Sequence, residues 1–269
     1  MQSFEQIKNI KFFLMDMDGT LYLGNNLFPF TKELLKTIKE QGKKYLFMTN
    51  NSSRSVLDYV KKLEKLGIEA EYDDFITSSQ ATSYYLLMHH KDDKMYVQGT
   101  NSLKEEFKSA GLNVTDEYAE DIDTVVSGFD TELTFKKLDD LSQILLRDVN
   151  YIATNPDLVC PTEYGYVPDC GSVAEMLFNA TKKRPLFIGK PSPLMPQLAM
   201  DKWGYSPEET LVIGDRIYTD VKSAINAGVY SMLVLSGETT KEVLEASEDK
   251  PTFVLDDAGE LLKILKKVN

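Results

Sequence analysis

Short apolar runs recur along the chain with helical patterns between them, and that alternation restricts the possible folds more than any other feature. Residues 11–15 (KFFLM) are the first run and lead directly into Asp16. Residues 44–48 (KYLFM) are the second and end at Thr49-Asn50-Asn51. Further runs lie at 186–188, 210–213 and 230–235, and residues 252–255 precede a last amphipathic helix expected over 258–268. Helices are also expected over 31–41, with Thr31 and Glu33 suited to the first turn and Gly42 to the stop, and over 53–66, closed by Gly67. Strands alternating with helices predict a mostly parallel sheet covered on both faces.

Between residues 82 and 182 the texture changes. Short strand candidates at 95–97, 124–126 and 151–154 alternate with helical patterns at 102–110, 134–147 and 172–181. The predicted fold class is α/β: a Rossmann-like, doubly wound parallel-sheet core (1–81 and 183–269) carrying a smaller inserted α/β domain (82–182). The polar stretches Ser78-Ser79-Gln80 and Lys182-Lys183-Arg184-Pro185 are read as the two crossings of a hinge. A chain of 269 residues, 42% of them hydrophobic, has the material for such cores.

Charge narrows the partners. Thirty basic against 42 acidic residues give a formal charge of −12, which argues against nucleic acid and against an anionic membrane surface, since both need a basic footprint. No apolar run approaches the roughly 20 residues that span a bilayer. The opening MQSFEQIKNIKFF lacks the order of a secretory signal, so a cytoplasmic location is expected. Cys160 and Cys170 make neither a disulfide framework nor a zinc spacing, and adjacent His89 and His90 would point apart on a helix. An acidic chain that bound an anionic substrate would need a local reversal of field, for which a bound cation is the obvious means.

The polar residues of the core gather just past strand ends. Asp16 and Asp18 follow the first strand, Thr49 and Asn50 the second, Gly189-Lys190 a third and Gly214-Asp215 a fourth. In an open parallel sheet that edge is where ligands bind. Asp16, Asp18 and Asp215, with Asp220 as a candidate fourth, would crowd carboxylates together, each pair repelling by about 4 kcal/mol at ~4 Å and an effective dielectric of ~20. Either some are protonated or a hard cation sits among them, and magnesium suits an all-oxygen set that also meets phosphate. Lys190 would add a positive charge, Thr49 a hydroxyl and a backbone amide, and Gly19 a turn where main chain can approach phosphate. A carboxylate in such a setting can attack phosphorus in line, and Asp18, two residues on, is placed to protonate the leaving oxygen and then activate water.

Asp16-Met17-Asp18-Gly19-Thr20 resembles the first motif of the haloacid dehalogenase superfamily, DxDx[TV] after a buried strand. Thr49 resembles the second motif, Lys190 the third, and Gly214-Asp215 with Asp220 the fourth, so the likeness runs through essentially the whole chain. It implies Asp16 as nucleophile, Asp18 as general acid and base, and Mg2+ held by Asp16, the Asp18 backbone carbonyl and Asp215. Asp220 then holds the loop or orients Lys190. About 30 residues separate Asp18 from Thr49, too few for a folded cap. About 140 lie between Thr49 and Lys190, enough for one. LFMTNNS (46–52), ATNPD (153–157), GKP (189–191) and GDRIYTD (214–220) are similar to the NagD-type, 4-nitrophenylphosphatase-like group. The likeness implies a small phosphorylated metabolite as partner and leaves room for a homodimer through the cap. One departure falls in the cap, where Pro168-Asp169-Cys170-Gly171 replaces the group's usual Pro-Gly-x-Gly, so substrate identity does not carry over. Nucleoside monophosphates, sugar phosphates, phosphoglycolate and glycerol phosphate all stay open.

A dehalogenase has no use for an acid at position 18, and phosphonate-cleaving enzymes and phosphomutases need a cap before Thr49. A non-catalytic receiver-like module that merely holds a phosphoaspartate is the remaining alternative. It would need no inserted domain and would put its acidic pair and its phosphoacceptor on different strands. Arg216 either reaches the leaving group or is exposed, and Asn155-Pro156-Asp157 is either a turn or a substrate contact.

Overall fold

A computed structural model describes residues 4–162 and 164–267. Along the chain come β1 (Phe12–Met15), a hairpin of β2 (Tyr22–Leu23) and β3 (Asn26–Leu27), α1 (Thr31–Glu40), β4 (Lys44–Thr49), α2 (Val56–Lys65), β5 (Phe75–Thr77) and α3 (Ser78–His89). Then follow β6 (Lys94–Gln98), α4 (Asn101–Ser109), β7 (Asn113–Thr115), β8 (Thr124–Ser127), α5 (Phe135–Leu145), β9 (Asn150–Ala153), a hairpin of β10 (Val159–Thr162) and β11 (Gly165–Pro168), α6 (Cys170–Thr181) and β12 (Leu186–Phe187). The remainder is α7 (Leu194–Trp203), β13 (Thr210–Gly214), α8 (Lys222–Ala227), β14 (Tyr230–Val234), α9 (Lys241–Ala246), β15 (Phe253–Leu255) and α10 (Ala258–Lys267). Val268, the expected end of the last helix, lies outside the described residues.

The chain divides into two compact units, one of Met1–Thr49, Val60–Ile76 and Lys190–Asn269, the other of Asn50–Tyr59 and Thr77–Gly189. The first is built on a six-stranded sheet in the order β15-β14-β13-β1-β4-β5. The pairs β14–β15, β13–β14, β1–β13 and β1–β4 all run parallel. All four residues of β1 and all five of β13 are buried, which is why each reads as an unbroken apolar run. Register aligns Met15 with Ile213 on one side and with Phe47 on the other. The strands therefore end level, and Asp16, Gly214 and Met48 come side by side at the carboxyl edge. The order reverses at β1, which is the switch point of this sheet.

The second unit repeats the principle on a smaller scale, with parallel strands in the order β12-β9-β8-β6-β7. Its core gathers Tyr96, Val125, Leu141, Ile144, Tyr151 and Leu177. Thr100 and Thr134 cap α4 and α5 with their side chains, and Asp169 caps α6. The incoming segment 50–59 is bound into this unit: Ser52 Oγ lies 2.8 Å from Thr154 Oγ1 and accepts from the Phe129 N–H at 2.9 Å, and Thr100 Oγ1 donates to Ser53 O at 3.2 Å.

Two local expectations are corrected. The run at Leu186 is a strand, but it pairs with Ile152 and Ala153 in the second sheet and not with the core strands. The edge of the core sheet is filled instead by β5. Ser78-Ser79-Gln80 is not a linker. It is the first turn of α3, whose cap residue Thr77 accepts from the Gln80 N–H at 3.1 Å while Gln80 Oε1 accepts from the Thr77 N–H at 2.9 Å. Thr31 opens the first turn of α1, as expected. The cap position is Phe30, and the Thr31 hydroxyl donates to Leu21 O at 2.6 Å, tying the helix start to the turn after β1.

Candidate active site

Asp16 is the residue that follows β1, and its backbone N–H donates to Ile213 O at 2.8 Å, so the ladder with β13 fixes where its side chain starts. Lys190 reaches it from the start of the last core segment. Its ammonium lies 2.7 Å from Asp16 Oδ1, 2.6 Å from Asp220 Oδ1 and 3.4 Å from Met48 O, and it is 3% exposed. Asp215 follows β13. Asp220 comes back toward it because Ile217–Val221 form a single π-helical turn, in which the Val221 N–H donates to Arg216 O at 3.2 Å. Asp220 Oδ2 in turn accepts from the Arg216 N–H at 3.2 Å. Both Asp220 oxygens are thus engaged, one of them on Lys190.

Ligand atoms of Asp16, Asp215 and Asp220 all lie within 4.8 Å of one another. Burial raises the Asp16 carboxyl first of all; Lys190 opposes this, Asp220 and Asp215 add to it, and the group is pushed up to about 8. Burial and Asp220 likewise push Asp215 to about 6, against the pull of the Glu238 N–H, Arg216 and Lys190. Lys190 is desolvated, yet Asp16 and Asp220 hold it charged, above its ordinary value. One ammonium does not balance three close carboxylates.

The donor set fits a hard divalent cation. Asp215 Oδ2 accepts from the Glu238 N–H at 2.7 Å, while its Oδ1 is buried with no hydrogen-bond partner among the described residues. A lone buried carboxylate oxygen is costly unless something positive meets it. The residues that could hold the ion are Asp16 and Asp215, with Asp220 beside them engaged on Lys190.

Backbone forms the rest of the wall. Gly19 has φ +84°, and a Cβ there would sit 2.5 Å from Asp215 Oδ2. A Cβ on Gly237 would sit 2.0 Å from the same oxygen, and one on Gly214 would sit 2.2 Å from the carboxyl carbon of Asp220. Only glycine allows these approaches. The loop Ser236–Thr239 was not singled out in the sequence, yet it encloses Asp215. The Thr239 N–H donates to Asp215 O at 3.1 Å, and Ser236 Oγ donates to Gly19 O at 2.7 Å. A Gly three residues past the end of the buried strand β14 was the available signal.

The other expected site residues are placed as follows. Asp18 is exposed and stands outside the carboxylate cluster, its Oδ1 accepting a long 3.4 Å bond from the Gly24 N–H at the β2–β3 hairpin. Thr49 ends β4 and is buried. Asn50 belongs to the second unit, where its amide donates to Asp157 Oδ2 at 2.7 Å. The same oxygen accepts from Asn155 Nδ2 at 2.9 Å, so Asn155-Pro156-Asp157 is a buried, internally bonded turn. The Arg216 side chain pairs with Glu238, Nε to Oε2 at 2.8 Å. Cys170 is buried, which pushes its thiol up to about 12; it is inert as a nucleophile.

A protein whose buried carboxylates hold protons loses stability as they are titrated. Asp16 and Asp215 bind protons in the folded chain up to about pH 8 and 6, whereas both have an ordinary value of 3.8. Between these limits the folded state carries more protons than the unfolded one. Stability in the presence of a chelator therefore falls as pH rises from about 4 to about 8. Urea denaturation at pH 5 and pH 8 measures this. The fall should be smaller in Asp16→Asn and smaller again with a saturating divalent cation; an identical slope in all three would refute the account.

An acidic cluster with a buried lysine at the switch point of a parallel α/β sheet suits phosphoryl-transfer chemistry. The chain belongs to the haloacid dehalogenase-like hydrolases, and to their NagD-like phosphatases. Residues 13–113 match the sequence profile described as haloacid dehalogenase-like hydrolase, and residues 187–261 a second one described as HAD-hydrolase-like. It is similar to 5'-nucleotidase YutF of Bacillus subtilis, at 35% identity over 254 residues covering 94% of this chain and 98% of that protein. It is also similar to the acid sugar phosphatase of Staphylococcus haemolyticus, at 32% identity over 97% of this chain and 98% of the other. The crystal structure of a 4-nitrophenylphosphatase from Thermotoga maritima superimposes with a TM-score of 0.92, at 41% identity, covering 96% of this chain and 98% of that one. Among the described residues no helix is long and apolar enough to cross a membrane.

Proposed function

We propose that this phosphatase is a magnesium-dependent phosphomonoester hydrolase that works through an aspartyl-phosphate on Asp16, with a sugar phosphate or a nucleoside monophosphate as substrate. The observation that carries the reading is the clustering of Asp16, Asp215 and Asp220 at the switch point of the core sheet, with Lys190 bridging Asp16 and Asp220. The substrate class rests on relatives named for acid sugar phosphates and for 5'-nucleotides.

Asp16 and Asp215, with the Asp18 carbonyl, would hold the ion, and their all-oxygen character favours magnesium. Bound there, magnesium would offset the neighbouring carboxylates so that Asp16 stays ionised, and would neutralise charge on the phosphoryl oxygens. Asp16 then attacks phosphorus: the new Asp16–phosphorus bond forms as the ester P–O bond breaks, and the leaving oxygen takes the proton of Asp18. In the second half Asp18, now a carboxylate, takes a proton from water as water attacks phosphorus. The bond to Asp16 breaks and orthophosphate leaves. Lys190, fixed between Asp16 and Asp220, keeps a positive charge beside the nucleophile throughout. Thr49 would bind the phosphate, with Asn50 and Arg216 as further candidates for the substrate.

Phosphate release with Mg2+ over a panel of sugar phosphates, nucleoside monophosphates and 4-nitrophenyl phosphate tests the proposal. At least one metabolite should turn over many times, at about 1 per second or faster. Release of no more than one phosphate per protein molecule would instead indicate a receiver-like module.

A further inference from the structure

Glu238 belongs to none of the roles above, yet its atoms meet three residues of the site. Its backbone N–H donates to Asp215 Oδ2 at 2.7 Å. Its Oε2 lies 2.8 Å from Arg216 Nε, and its Oε1 accepts from the Tyr218 hydroxyl at 2.6 Å. Arg216 directly follows Asp215, and Tyr218 lies in the π-helical turn that returns Asp220 to the cluster. The side chain of Glu238 thus ties the loop after β14 to the loop after β13, and the ring of contacts so formed closes through Asp215.

A fourth carboxylate beside three others works against the site unless something cancels it. Arg216 does that here, and Tyr218 takes the second oxygen, so neither side of the carboxylate is left to the cluster. The pair is partly exposed (22% and 38%), so solvent screens it and tempers its contribution to stability. What the clamp does fix is direction. With the Glu238 N–H held on Oδ2 and Gly237 packed against the same oxygen, Asp215 has only Oδ1 left for a further partner, and that atom is buried and lacks one among the described residues.

We infer that Glu238, clamped by Arg216 and Tyr218, is a positioning residue that holds Asp215 with Oδ1 open to a divalent cation and so sets the affinity for that ion. The inference rests on the reading of Asp215 as a cation ligand, and goes beyond it in naming what tunes the ligand. Carboxylates that bind metals are themselves oriented by hydrogen-bonded neighbours, whose loss typically costs tenfold or more in affinity. Here the neighbour is a main-chain N–H, so its aim depends on what anchors the side chain of the same residue.

Isothermal titration of Mg2+ into the metal-free full chain, without substrate, tests it. Glu238→Ala should bind Mg2+ about tenfold more weakly. Glu238→Gln should lose less, since its amide oxygen still accepts from Tyr218 while the charge facing Arg216 is gone. Tyr218→Phe removes one hydroxyl from a side chain that is 52% exposed, and should weaken binding by a smaller factor without disturbing the fold. Raising Mg2+ should restore kcat in all three, with the metal-free melting temperature close to wild type. Variants that bind Mg2+ as tightly as wild type, or a kcat deficit that saturating Mg2+ leaves in place, would overturn the inference and leave the proposed reaction standing. Failure of the wild-type chain to bind Mg2+ at all would sink both.

Discussion

Asp16→Asn is expected to lower turnover of 4-nitrophenyl phosphate by about four orders of magnitude or more, the scale on which enzymes lose activity with their covalent nucleophile. The substitution is isosteric, and an amide oxygen at this position can still accept from Lys190, which now lies 2.7 Å from Oδ1. What disappears is the nucleophilic oxygen. The fold should survive and be helped slightly in metal-free conditions, because burial and the charges of Asp220 and Asp215 all disfavour an ionised Asp16. Rapid quench with radiolabelled substrate is the decisive measurement. Wild type should yield an acid-stable, hydroxylamine-sensitive phosphoprotein, and Asp16→Asn none. Activity of the variant within tenfold of wild type would remove Asp16 from the mechanism.

Asp18→Asn is expected to cut turnover of an alkyl phosphate by about 10²–10⁴-fold, the usual range for a general acid. The first half-reaction with 4-nitrophenyl phosphate should lose far less, because 4-nitrophenolate departs without a proton. The variant should therefore give a burst of 4-nitrophenol and then stall as phosphorylated protein, since no base remains to activate water. Asp18 suits the experiment because it is exposed and outside the carboxylate cluster, with a single long bond from the Gly24 N–H. Its loss should alter neither folding nor the wall around Asp215. Equal losses for both substrates, with no burst, would show that Asp18 does not protonate the leaving group.

The core was legible because strands buried on both faces leave unbroken apolar runs. Phe12–Met15 and residues 211–213 could be located to within a residue or so. Two members of the acidic cluster, Asp16 and Asp215, were legible for a related reason: they directly follow such strands, where the register levels the ends. Asp18, expected beside them, lies outside the cluster, and Asp220 joins it through the turn Ile217–Val221. Other parts carry no such mark. The buried face of α3 includes Ser78, Ser79, Thr82 and Ser83, so a helix with a polar inner face reads as a linker. Leu186 and Phe187 look like any apolar pair, and nothing local tells which of two parallel sheets they join. The loop from Ser236 to Thr239 acts through a main-chain N–H and through the missing side chain of Gly237. Groups that every residue possesses, or that one residue lacks, leave no pattern in composition or periodicity.

Gly19, Gly214 and Gly237 bring three α-carbons against two carboxylates, and this bears on how such an enzyme can diversify. A lining made of main chain cannot be reshaped by exchanging one amino acid for another, because any side chain larger than hydrogen would collide with a carboxylate of the cluster. New specificities in a lineage built this way have to arise from positions that never touch those acids, so the reaction stays constant while the compounds it serves drift.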